Sequence, residues 1–146
     1  MNEFDVDGRP RGAARAAFAD GATAGVGSLP HLDPAAAAAF AIDEFDIATI
    51  PTMPHRSAAE LMLGQALAGV RGISVGDDGS IVADPDAVDP NAAVVTDTDR
   101  VAFDGFRAFI ERAEDVGLDG SAVKWQFVGP VTLGVALHRL SLIHIS

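Results

Sequence analysis

The chain has no cysteine and a single lysine, Lys124, in 146 residues. Without cysteine there can be no disulfide and no thiolate metal site built from this chain, although the absence says nothing by itself about the redox compartment. Positive charge is scarce: ten Lys and Arg stand against 21 Asp and Glu, a formal net charge of −11. Nucleic-acid binding depends on clustered cations facing phosphates, so DNA and RNA are excluded as expected partners. A long apolar run is also missing. The longest, Pro34 to Ile42, is mostly alanine and far short of the ~20 residues that a bilayer span requires. The start, Met1-Asn2-Glu3-Phe4-Asp5, is acidic where a signal peptide would be basic, which makes the cytoplasm the expected compartment.

What is present suffices for one domain, since 49% of the residues are hydrophobic. Residues 1–20 read as a leader, broken by Gly8, Pro10 and Gly12, with Ala13 to Ala19 able to form a short helix. From there a strand–turn–helix pattern recurs. Ala22 to Gly27 is a first strand, and Asp33-Pro34 starts a helix to about Phe45. Asp caps the free amides there, and proline's fixed φ suits the first turn. The helix offers Phe40, Ile42 and Phe45 as its larger apolar residues.

Asp46 to Pro51 is a second, β-branched strand. After the stiff Pro51-Thr52-Met53-Pro54, Ser57 and Glu60 have the spacing of a capping box, and Leu61, Met62, Leu63, Leu67 and Val70 give a helix its apolar face. Ile73 to Val75 and Ser80 to Ala83 flank Gly76-Asp77-Asp78-Gly79 and predict a β-hairpin. Residues 84–98, rich in aspartate and proline, predict a solvated loop. Thr98 or Asp99 can cap a helix running to about Val116, with Ala102, Phe106, Phe109, Ile110 and Ala113 on one face and Gly117 as its stop. Val123 to Val128 is a third strand, followed by a helical run from Leu133 to Leu140. Strands alternating with helices point to parallel pairing with helical crossovers.

Two of the strand ends carry motifs. Gly27-Ser28-Leu29-Pro30-His31 and Val128-Gly129-Pro130-Val131-Thr132-Leu133 resemble motifs of the C-terminal barrel domain of the cobalamin-independent methionine synthase family, in particular its short stand-alone bacterial members related to the uroporphyrinogen decarboxylase superfamily. The resemblance covers roughly residues 21–138. It implies an α/β fold, a partial TIM (β/α)8 barrel comprising roughly the first three βα units with an inserted β-hairpin. A full barrel takes about 250 residues, so residues 21–139 are expected to be the N-terminal part of one and 140–146 a tail unlike the family.

The resemblance also implies an activity, methyl transfer to the thiol of homocysteine after zinc has lowered its pKa, from a methyl donor the sequence does not identify. Ser28 takes the position of the serine that helps bind the amino acid. The family's zinc ligands are His, Cys and Glu on later strands, and none can be placed here. The chain alone is therefore expected to be inactive.

The candidate substrate-binding residues are Gly27, Ser28, His31, Arg56 and Thr132. Each has a plainer role beside the functional one. Ser28 can satisfy turn amides, Thr132 can cap a helix, and Arg56 can form a surface ion pair. His31 and His55 follow successive strands, but two imidazoles without a third ligand make a weak metal site. Two other classes stay open: a decarboxylase-like relative holding substrate carboxylates through arginines, and a non-catalytic truncated or interaction module.

Overall fold

A computed structural model describes residues 20–89, 91–118 and 121–143, with side chains as far as position 138. The expected leader lies, apart from Asp20, outside the described residues. Among those described are four α-helices, α1 (Pro34–Asp43), α2 (Met62–Leu67), α3 (Asp104–Asp115) and α4 (Pro130–Ile143), and four short strands, β1 (Ala48–Thr49), β2 (Ile73–Val75), β3 (Ile81–Ala83) and β4 (Val123–Lys124).

The helix starts follow local chemistry. Asp33 is extended (φ −98°, ψ 121°), and its carboxylate accepts from the amides of Ala35 and Ala36 at 3.3 Å, ahead of Pro34 in the first turn. Asp33→Ala is expected to cost about 1 kcal/mol, read as a lower denaturant midpoint with an unchanged slope. At the far end of α3, Gly117 adopts φ +68° and ends the helix as expected.

The partial barrel is overturned. Parallel pairing within named strands is confined to β1 with β4, two residues each, Ala48 opposite Val123 and Thr49 opposite Lys124. β2 and β3 form a separate antiparallel hairpin, as the Gly/Asp turn predicts. The expected first strand reduces to two isolated parallel bridges, Ala24 with Ile47 and Ser28 with Thr52, on the other edge of β1. The unit is therefore a small mixed α/β structure and not three βα units of a barrel.

The cause lies in the residues of the strands. Gly25 and Gly27, the latter at φ +96°, interrupt the first extended segment, and Pro51 ends β1 because it has no amide hydrogen to donate. At the other end of this segment the Asp46 carboxylate accepts from both the amide (2.9 Å) and the hydroxyl (2.8 Å) of Thr23. These bonds, the amide first, hold its pKa below the usual carboxylate value.

The core forms where α1 and α3 pack together and against β1. Its cluster is Ala38, Ala41, Ala48, Ile50 and Phe109, with Leu29, Ile42, Phe106 and Ala113 packed around it. α1 thus buries Ala37, Ala38 and Ala41, whereas Phe40, one of its larger apolar residues, is 38% exposed. Alanine lets the two helix backbones approach, and Phe109 of α3 fills the space from the opposite side. Asp43 and Arg112 meet at 3.4 Å on the outside of the same pair. α4 begins at Pro130, earlier than expected, and runs through Ile143 into the stretch assigned to the tail.

Candidate functional site

At the C-terminal end of the parallel segments lies a mainly apolar cavity of about 170 Å3. Val26, Gly27 and Ser28 come from the first extended segment, Thr52 and Pro54 from the loop after β1, and Trp125 and Gln126 from the residues after β4. Leu61 and Met62, at the start of α2, close the side. A second cavity of about 280 Å3 shares Met62, Trp125 and Gln126 with it and extends to Gln65, Thr96 and Phe127.

Three short segments meet here because β1 is bonded on both edges. The amide of Thr52 donates to Gly27 O and the amide of Leu29 to Thr52 O, both at 2.8 Å, while the amide of Ile50 donates to Lys124 O at 2.9 Å. The Lys124 ammonium reaches across to Gly25 O at 2.6 Å and ties the two flanking segments together. Gly27 is required at its position. A Cβ there would meet Gln126 Oε1 at 3.1 Å and Ile50 O at 3.3 Å, on a backbone already at φ +96°.

Aromatic stacking fixes the outer wall. The Trp125 ring lies 5.1 Å from Phe106 of α3 at an interplanar angle of 20°, and 4.3 Å from Phe127. The mainly apolar lining therefore includes an aromatic ring and a thioether, Trp125 and Met62, together with the hydroxyl- and amide-bearing residues Ser28, Thr52 and Gln126.

Of the residues singled out from sequence, Gly27 and Ser28 line this cavity. His31 does not; its ring sits 5.4 Å from Phe40, and its Nδ1 is buried without a hydrogen bond. Arg56 is turned to Asp104 of α3, with which it forms an ion pair. Thr132 is exposed in the first turn of α4 and lines none of these cavities. Thr52, Met62, Trp125 and Gln126 were not singled out as site residues. Their only signal was position, each lying just beyond a strand or at the opening of a helix.

Glu60 departs furthest from expectation. In a capping box its carboxylate would return to the amide of Ser57. Instead Ser57 caps alone, accepting from the amide of Ala59, and Glu60 turns inward until it is fully buried. Its Oε2 accepts from the amide of Met53 at 2.7 Å, and its Oε1 has no hydrogen bond. Burial is the main cause that pushes its pKa up to about 7, opposed by the Met53 amide and by Arg56, 3.7 Å from Oε1.

Among the described residues no group of three or more His, Cys, Asp or Glu could hold a metal ion, and no helix is long and apolar enough to cross a membrane. No protein-family model, curated protein or solved structure matches the chain.

Proposed function

We propose that the cavity beside Ser28 receives a small amino acid bearing a thiol, of the homocysteine type, and that the chain is part of a methyl-transfer enzyme resembling the cobalamin-independent methionine synthases. One observation supports this reading. Gly27 and Ser28 of the first motif share a cavity with Trp125 and Gln126, which lead directly into the second motif, Val128 to Leu133.

The chemistry is compatible. Ser28, Thr52 and Gln126 among the lining residues carry donors and acceptors suited to the ammonium and carboxylate of an amino acid, while Met62 and Trp125 offer polarisable contacts for a sulfur-bearing side chain. At about 170 Å3 the cavity falls below the roughly 300–1,000 Å3 of sites that hold drug-sized ligands, which favours a small metabolite.

The zinc that the resemblance implies does not fit the residues present. The cavity's donors are hydroxyls and an amide, poor partners for a metal that prefers imidazole and thiolate. In this proposal the metal belongs to residues outside those described, and the 146-residue chain binds without turnover. The decarboxylase alternative needs arginines at the mouth, and Arg56 is engaged with Asp104 instead. The compartment proposed is the cytoplasm.

Calorimetric titration of the chain with L-homocysteine tests the reading. Saturable binding is expected, weakened about five- to tenfold by Ser28→Ala, the loss of one hydrogen bond. No saturable heat up to about 10 mM ligand, a concentration that would already reveal contacts worth a few kcal/mol, would remove the proposal.

A further inference from the structure

We propose that Glu60 is the positioning residue of this cavity: a proton-responsive clamp that holds its Pro54 lip and its Leu61–Met62 lip together when the carboxyl is protonated and releases them when it ionises. The proposal rests on the cavity's being the binding site only for its biological use; the clamp is read from the protein alone.

The geometry comes from both sides of the cavity wall. Glu60 Oε2 accepts from the amide of Met53, whose neighbour Pro54 lines the cavity, and Glu60 itself is followed by Leu61 and Met62, which also line it. One buried carboxyl thus joins two wall segments seven residues apart. α3 closes over it. A Cβ at Gly105 would lie 3.1 Å from Oε2 and 2.5 Å from Pro51 O, so no water-sized gap separates the carboxyl from the helix.

The groups around it pull both ways on an ionised carboxyl: burial, the largest influence, and Asp104 oppose the charge, while the amides of Met53 and Gly105 and the Arg56 guanidinium favour it. Arg56, on the same loop, is the cation nearest Oε1 at 3.7 Å, but its guanidinium is bonded to Asp104. Asp104, at the start of α3, repels an ionised Glu60 and is bonded on its other side to Arg107. Of the other neighbours, the 3₁₀ turn Val101–Phe103 and α2 contain no ionisable residue, while the β2–β3 turn, which approaches Ala58 and Leu61 at Gly79, carries Asp77 and Asp78. Ionisation leaves a charge in a fully buried site beside Asp104, so in this proposal it draws Glu60 outward toward Arg56 and water, a movement that displaces Met53 or Leu61. A neutral carboxyl accepts a weaker bond from the Met53 amide than a carboxylate would, but keeps it without burying a charge.

Trp125, the only tryptophan, shares the cavity wall with Met62 and reports on the clamp directly. Its fluorescence in the 146-residue chain, titrated from about pH 5 to about pH 9, is expected to show one transition with a midpoint near 7. The transition should vanish in Glu60→Gln, which retains an oxygen for the Met53 amide. It should survive replacement of each of His31, His55, His138 and His144 by asparagine. A flat wild-type titration, or a transition that persists in Glu60→Gln or disappears with a histidine, overturns the proposal.

Thermal melts supply a reading that does not depend on the variant's fold. The native carboxyl holds its proton more tightly than the unfolded chain, with a pKa near 7 against 4.5. Stability from this group is complete below pH 4.5 and is lost as pH rises through about 7. Carbon NMR of the wild-type side-chain carboxyls gives the Glu60 midpoint itself, and a value at or below 4.5 would also overturn the clamp. Homocysteine titration at either pH reads the function separately, so failure of one does not imitate failure of the other.

Discussion

Phe109→Ala is expected to lower the free energy of unfolding by about 3–5 kcal/mol. The ring is 1% exposed and stands at the centre of the cluster that joins α3 to α1 and β1. In its cluster Ala38, Ala41 and Ala48 are too short to reach the space the ring would vacate, and Ile50 with the partly buried Leu29, Ile42 and Phe106 can fill it only in part. The cavity term therefore adds to the lost transfer energy instead of being fully relaxed away. A domain of this size has about 5–15 kcal/mol in total, so the variant should be partly unfolded at low denaturant. Urea unfolding followed by circular dichroism measures the change. A loss below about 1 kcal/mol, the range of an exposed substitution, would mean that the α1–α3 contact is not the core.

Gly105→Ala sets two effects of opposite sign against each other. Gly105 is the second residue of α3, where alanine's helix propensity favours it by up to about 1 kcal/mol. The tertiary structure opposes that gain, because the new Cβ would sit 2.5 Å from the carbonyl oxygen of Pro51, a backbone atom that cannot rotate aside. Forced overpacking of this kind costs about 1–3 kcal/mol, so net destabilisation is expected. The same movement would press on Glu60 Oε2, and the midpoint of the Trp125 titration should shift along with the melting temperature. A variant more stable than wild type would show that α3 is not seated against the Pro51 loop as described.

These two positions also mark what could be read from sequence. That a helix ends near Val116 with Phe109 on its inner face follows from the spacing of Phe106, Phe109 and Ala113, and the Gly117 stop follows from one residue's conformational freedom; its start does not, because neither Thr98 nor Asp99 caps it and the helix begins at Asp104 after the 3₁₀ turn Val101–Phe103. The α1 start at Asp33-Pro34 and the hairpin around Gly76 and Gly79 are equally local. In each case the determining atoms lie within a few residues of one another, so the chain carries the signal without its fold.

What tertiary structure alone decided is non-local. The spacing of Ser57 and Glu60 describes a capping box, yet an amide seven residues back and a helix more than forty residues on draw the carboxyl inward. Phe40 is among the larger apolar residues of α1, but the packing of α3 against the helix selected Ala38 and Ala41 instead. Three strand-like stretches suggested parallel pairing and the resemblance a partial barrel, but pairing stopped at two-residue strands and isolated bridges where Gly25, Gly27 and Pro51 interrupt the ladder. Composition and local stereochemistry determined where this chain turns and where it coils. Which faces met, which carboxyl lost its water, and which residues came to share a cavity with Ser28 depended on contacts between segments far apart in sequence, where no local pattern carries the information.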